Sequence, residues 1–229
     1  MGVKTKVKVC GITDLGDAHL AVDLGAWALG LILWQGSPRV CPPERAEEIS
    51  ATLRRRVEIA GVFVNATLEE VALAADRYWL SLLQLHGDEG PAYCREAARR
   101  TGARVIKAAR VKDSSSVRSL GAFHVDFHLL DAYVPAQRGG TGETFEWDLT
   151  KDAGRIAPVI LSGGIRPDNV SAAISSVAPY AVDTASGTEA TPGRKDATLL
   201  RAFFDAIRAT EPAPEPKRED DTAERAASA

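Results

Sequence analysis

Residues 58–86, EIAGVFVNATLEEVALAADRYWLSLLQLH, carry the pattern that decides the fold. An apolar, β-branched run at 58–64 leads into Asn65 and Thr67, both helix-start residues, and then into the amphipathic segment LEEVALAA. A second apolar run follows at 81–86. Short apolar strands separated by helical periods argue for parallel strands joined by crossover helices. The same unit repeats in both directions. Strands are predicted near 6–10, 28–33, 58–64, 81–86, 103–107, 125–130, 157–161 and 180–183. Helices are predicted near 14–23, 43–55, 67–76, 89–101, 167–176 and 196–208, with a weaker one near 148–153. Pro42-Pro43 and Pro167-Asp168 supply further helix starts. Eight strands are the number that closes a (β/α)8 TIM barrel, which is the α/β fold expected over 1–208 as a single domain. An open doubly wound sheet is the rival. The fifth unit is the weak one: KDSSSVRSLGAF at 112–123 has a short helical period at best, and a loop in place of that helix is the alternative.

Of the 229 residues, 45% are hydrophobic and 26% charged, an ordinary globular balance. The net charge of −3 gives no strong field to recruit nucleic acid or an anionic membrane. Any bound anion must therefore be held locally. The three cysteines, Cys10, Cys41 and Cys94, are odd in number and far apart, which fits neither a disulfide framework nor a metal site. A reducing, cytoplasmic setting is expected. No apolar run approaches the ~20 residues of a membrane span. MGVKTKVKVC is basic but lacks the apolar stretch of a signal peptide, and Lys6 stands where a myristoylation signal wants Ser or Thr. From 209 onward the chain is rich in Pro, Ala and charge with no large apolar side chain, so 209–229 is expected to be a disordered tail.

In such barrels the chemistry sits at the C-terminal ends of the strands. Polar residues expected there are Cys10, Arg39, His86, Lys107, Asp131, Ser162-Gly163-Gly164 and the run from Asp183 to Gly187. LSGGIRPDN and DTASGTEATPGRKD each follow a strand with a small-residue turn, and the first leads into a helix start. Backbone amides in such turns approach an anion closely, so a phosphate between the seventh and eighth loops is expected. The segment of about 15 residues after Asp131, with Gly139, Gly140, Gly142, Phe145 and Trp147, reads as a functional loop or a surface loop.

Cys10 has two readings: a small buried hydrophobe, or a base at a strand end. A thiol begins near pKa ~8.5, and lowering it by one or two units costs about 1.4–2.7 kcal/mol, within reach of a nearby cation. No cation adjoins it in sequence. Lys8 shares its face but is expected one layer down the barrel, or outside it if the alternation is reversed. Asp131, after the apolar run FHLL, is either a loop brace or a carboxyl kept protonated by desolvation. Arg39 offers a planar fork suited to a carboxylate and is equally readable as a surface residue. His86 either orients substrate or bonds a neighbour. Cys41 and Cys94 are read as structural.

Taken together, KVCGIT at 8–13, GSPR at 36–39, GVFVN at 61–65, LLQLHGDE at 82–89, LLDA at 129–132, GGTGETFEW at 139–147, LSGGIRPDNV at 161–170 and VDTASGTEATPGRKD at 182–196 resemble the phosphoribosylanthranilate isomerases of tryptophan biosynthesis. The resemblance implies a cofactor-free, metal-free Amadori rearrangement of a small phosphorylated substrate, in a monomer or homodimer. It implies Cys10 as base and Asp131 as acid, with Arg39 facing the anthranilate carboxylate and His86 at the substrate. Phosphate would lie against Gly163, Gly164, Ser186 and Gly187, with Asp183 near the ribose hydroxyls. Ser162, Ala185, Leu31 and Trp34 depart from the family pattern. The histidine-pathway isomerase is the nearest rival, but it uses an aspartate where Cys10 stands. A catalytically dead phosphate-binding barrel, or a scaffold acting through its tail, would be expected to lose the Cys10/Asp131 pair.

Overall fold

A computed structural model describes residues 4–109, 114–131 and 156–210. Eight parallel strands close into a barrel in the order β1 to β8. They are β1 (Lys6–Cys10), β2 (Ala28–Ile32), β3 (Glu58–Phe63), β4 (Leu82–Leu85), β5 (Arg104–Ala109), β6 (Phe127–Asp131), β7 (Val159–Ser162) and β8 (Ala181–Thr184). Between them run α1 (Leu15–Leu24), α2 (Pro43–Leu53), α3 (Leu68–Arg77), α4 (Pro91–Thr101) and α5 (Ser114–Leu120), followed by the helix Val170–Val177 and the last helix, Ala197–Arg208. After β8 a short 3-10 turn, Ser186–Thr188, leads into a hairpin of β9 (Glu189–Thr191) and β10 (Arg194–Lys195). The closed barrel excludes the open sheet. A short α5 forms in the fifth unit, where a loop was the alternative. The weak helix near 148–153, most of the long loop after Asp131, and the tail from 211 lie outside the described residues. No described helix is long and apolar enough to cross a membrane.

Local chemistry starts the helices where the sequence places them. Thr67 and Glu70 form a reciprocal capping box: Glu70 N donates to Thr67 Oγ1 at 3.2 Å and Thr67 N to Glu70 Oε2 at 2.7 Å. The Asp14 carboxylate accepts from the amides of Gly16 and Asp17, and Asp196 accepts from those of Thr198 and Leu199.

Two cores share the strands by alternation. Val7, Val9, Leu29, Leu31, Ile59, Leu83, Val105 and Val182 point outward to helix residues such as Ala18, Ile49, Val71 and Phe203. Ala28, Ala60, Leu82, Ile106, Leu129, Ile160 and Ala181 fill the barrel itself. At its N-terminal end Trp27, Phe127 and Tyr180 plug the interior, with ring centroids 5.1 to 5.5 Å apart. A few polar side chains interrupt the outer packing, Lys107 and Thr184 among them. His128, on β6, is 0% exposed, and neither ring nitrogen has a hydrogen-bond partner among the described residues. Burial holds its pKa below the ordinary imidazole value.

The unfolded chain therefore binds the His128 proton more readily than the native one. Stability linked to this residue is complete above the unfolded pKa near ~6.5 and declines as pH falls below it, by at most about 1.4 kcal/mol per pH unit. Urea unfolding of wild type and His128→Leu at pH 7.5 and 5.5 should show wild type losing more stability on acidification. Equal losses would remove His128 as a source of acid sensitivity.

Candidate functional site

At the C-terminal mouth the inward positions of several strands meet. Cys10 ends β1, Asp131 ends β6, Ser162 ends β7, Asp183 stands on β8, and His86 follows β4. Cys10 and Asp131 lie three strands apart around the barrel. Asp131 is half-buried and shares a cleft with His86, Asn65, Gly87 and Ala108. His86 Nδ1 lies 2.9 Å from Gln84 Nε2. Partial desolvation holds its pKa below the usual value, against the pull of Asp131 in the other direction.

Cys10 is buried, and its register partner on β2 is Gly30. A Cβ at Gly30 would lie 2.7 Å from Cys10 Sγ and 3.1 Å from Lys8 Nζ, so the thiol and the ammonium both occupy the space that a side chain would need. Lys8 is 0% exposed and its Nζ reaches Asp183 Oδ1 at 2.7 Å. The four-carbon stem thus climbs the layer that had been expected to separate it from Cys10. Burial would lower the Lys8 pKa, but Asp183 and Cys10 outweigh it and raise it. The expected lowering of the Cys10 thiol is reversed. Burial, the largest effect, pushes it up, Asp183 adds to this, and Lys8 and Lys195 oppose it. Dry surroundings disfavour the thiolate more than a cation already paired with a carboxylate can restore.

The turns after β7 and β8 touch. Gly163 and Gly164 take φ of 90° and 67°, a left-handed conformation that favours glycine. The Asn169 side chain closes the first turn, donating from Nδ2 to Gly164 O at 2.9 Å and accepting from Arg166 N at 2.8 Å. Thr184 Oγ1 donates to Ile165 O, and an added Cβ at Gly187 would collide with that same carbonyl oxygen. Ser186 and Gly187 are therefore pressed against the 163–166 turn.

Arg39 and Lys107 are engaged differently from expectation. Arg39 Nε lies 2.9 Å from both oxygens of Glu189, which ties the loop after β2 to the β9–β10 hairpin. Lys195 Nζ reaches the same carboxylate at 3.2 Å and Ala185 O at 2.9 Å. Lys107 points out of the barrel and donates to the carbonyls of Leu85 and Gly87 and to Glu89 Oε2. Glu89 in turn accepts from the amides of Asn65 and Gly87. Lys107 is thus a brace for the third and fourth loops.

Two departures from the family pattern acquire explanations. Ser162 Oγ donates to Asp183 Oδ2 at 3.1 Å, occupying the oxygen that Lys8 does not hold. Leu31 faces the helices in the outer core, so it does not line the mouth. Ala185 gives only its backbone carbonyl, to Lys195, and nothing in the structure explains the side chain there. Trp34 is exposed beside the mouth. Cys41 and Cys94 are buried free thiols in the strand–helix core. Gly30, Glu89, Glu189 and Lys195 were not among the site residues expected from sequence. Of these, Gly30 leaves no local signal, because its role depends on what stands across the β1–β2 ladder.

Residues 7–206 match the model of the family described as PRAI, N-(5'phosphoribosyl)anthranilate (PRA) isomerase. An N-(5'-phosphoribosyl)anthranilate isomerase of Citrifermentans bemidjiense is 49% identical over 200 residues, covering 87% of this chain and 95% of that protein. One of Geobacter sulfurreducens is 49% identical over 199 residues, covering 87% and 96%. Among solved structures, a phosphoribosyl anthranilate isomerase of Thermotoga maritima superposes with a TM-score of 0.79 at 39% identity, covering 90% of this chain and 99% of that one. Another, in complex with reduced 1-(o-carboxyphenylamino)-1-deoxyribulose 5-phosphate, gives 0.77 at 36% identity with the same coverage. A second Thermotoga maritima structure is described as monomers derived from a dimeric form of the enzyme. A thiamine phosphate pyrophosphorylase of Pyrococcus furiosus, 16% identical with a TM-score of 0.64, shares the fold alone. By the span of the family match and the identity of its relatives, this chain belongs to the N-(5'-phosphoribosyl)anthranilate isomerase family.

Proposed function

We propose that this isomerase converts N-(5'-phosphoribosyl)anthranilate to 1-(2-carboxyphenylamino)-1-deoxyribulose 5-phosphate in tryptophan biosynthesis, with Asp131 as general acid and Cys10 as general base. The observation that carries this reading is the presence of both residues, unsubstituted, at strand ends on one barrel mouth. Asp131 gives its proton to the ribose ring oxygen as the C1′–O bond breaks, and the nitrogen lone pair forms the iminium. The iminium then draws electrons from C2′. Cys10 takes the C2′ proton onto sulfur while the C–H pair becomes the C1′–C2′ double bond of an enolamine. Tautomerisation, with C1′ protonated and the C2′ hydroxyl deprotonated, yields the ketone. The iminium acts as the electron sink, so this route needs no metal or pyridoxal.

Binding follows from the same mouth. The amides of Gly163, Gly164, Ser186 and Gly187 are assigned to the phosphate, whose charge the barrel otherwise has no net field to attract. Asp183 is assigned to the ribose hydroxyls and His86 to the wall beside Asp131. Arg39, with Nε fixed by Glu189, is assigned to the anthranilate carboxylate through its remaining nitrogens.

Steady-state turnover of freshly prepared phosphoribosylanthranilate should fall roughly 10²–10⁴-fold in kcat for both Cys10→Ser and Asp131→Asn. Near-wild-type rates in both would overturn the mechanism. The wild-type rate should rise with pH as the Cys10 thiol ionises, over a range that burial sets above the ordinary thiol value. Gly187→Ala should raise KM and weaken inhibition by inorganic phosphate, each by tenfold or more, because the Ile165 carbonyl blocks the added methyl. Unchanged phosphate inhibition would place the phosphate elsewhere.

A further inference from the structure

The reaction scheme leaves unused the most deeply buried charge in the barrel. Lys8 is fully enclosed, in a barrel interior whose other inward positions include the apolar Ala28, Ala60, Ile106, Ile160 and Ala181. An ammonium there loses its water, and an apolar side chain would fill the layer without that loss. Its geometry points toward Cys10. Lys8 and Cys10 are two residues apart on β1 with side chains on the same face, and Nζ and Sγ crowd the same side of Gly30. An ammonium carries three donors, of which one reaches Asp183 Oδ1. The Asp183 carboxylate is fixed in turn, with its other oxygen accepting from Ser162.

We infer that Lys8, held by Asp183, is the positioning residue that favours the Cys10 thiolate over the thiol. The inference rests on the reading of Cys10 as the base. Asp183 has two opposed effects: it keeps Lys8 charged and in place, and its own negative charge opposes a thiolate nearby. Among the described residues, the other charges at this end are the Lys195–Glu189–Arg39 cluster of the hairpin, the Lys107–Glu89 pair and, across the mouth, His86 and Asp131. Lys195 also acts on the sulfur, but it is held by Glu189 and the Ala185 carbonyl, whereas Lys8 Nζ and Cys10 Sγ meet at Gly30. Lys8 stays protonated throughout; the proton that Cys10 takes from C2′ leaves the sulfur for solvent while Asp131 takes one back, so each turnover ends with no net proton gained or lost.

The test reads Cys10 directly. Iodoacetamide alkylation is followed against pH, with peptide mass mapping to separate Cys10 from Cys41 and Cys94. Asp183→Asn should shift the midpoint for Cys10 down by about one pH unit, because an intact ammonium then faces the thiolate without a competing carboxylate. Lys8→Met/Asp183→Asn, which removes the pair without stranding either charge, should shift it up by about one unit or more. Measured against Asp183→Asn alone, which carries the same loss of any ribose contact, its kcat/KM near neutral pH should fall about tenfold per unit of difference between their midpoints and approach that reference as pH rises. A merely structural ion pair would give midpoints that coincide, or loss of activity equal at every pH, and either result overturns the inference. So does a shift of both variants in one direction. Turnover retained in Cys10→Ser would instead remove the base assignment while the alkylation midpoints still report the Lys8–Cys10 coupling.

Discussion

The pairing of β1 with β8 is the contact on which the rest of the molecule depends. It closes the barrel with Lys6 opposite Ala181, Val7 opposite Val182, Lys8 opposite Asp183 and Val9 opposite Thr184. Because side chains alternate with a period of two, this register decides which set of β1 faces the interior. A slip of one residue would turn Val7 and Val9 into the barrel and drive Lys8 and Cys10 into the helices. In the observed register the ladder brings Lys8 and Asp183 side by side, and the ion pair between them makes a buried ammonium tolerable. Closure and the placement of Lys8 and Cys10 inside the barrel are thus fixed by one register.

The mouth above this ladder is held by buried carboxylates that each serve several loops. Glu89 gathers the amides of Asn65 and Gly87 and the ammonium of Lys107, joining the third and fourth loops to β5. Glu189 gathers Arg39 and Lys195, joining the second loop to the hairpin after β8. Asp183 gathers Lys8 and Ser162, joining β1, β7 and β8. Removing one partner of such a group leaves a charge in a dry site, so each cluster holds its loops more firmly than a surface pair would. The mouth is therefore built on braces that bear charge.

Most strand runs and helices of the described residues were legible as local patterns, short apolar runs for the strands and period 3.6 for the helices, with side-chain caps opening α1, α3 and the last helix and proline opening α2 and α4. The boundaries moved where the ladder overrode local preference: β5 extends to Ala109 and β6 to Asp131, beyond the apolar runs near 103–107 and 125–130. The fifth helix was ambiguous because SSSVRSL has weak propensity and few apolar residues. Tertiary context forms it nonetheless, with Leu120 buried against Leu130 and Val159. Among polar residues, strand-end position correctly brought Cys10, Asp131 and Asp183 to the mouth. It failed for Lys107, whose parity on β5 sends it outward.

By itself the sequence determined the number and order of the strands, the caps, the two small-residue turns after β7 and β8, and the residue types standing at the strand ends. These follow from neighbours within a few positions along the chain. Only the tertiary structure decided what surrounds each of those residues. Lys8 reaches Cys10 because Gly30, twenty positions away, leaves space for both. Ser162 acquires a role because Asp183 lies on the next strand, and Arg39 is fixed by Glu189 across 150 residues. Pairings of that kind arise from barrel closure, and the closing contact joins the first strand to the last.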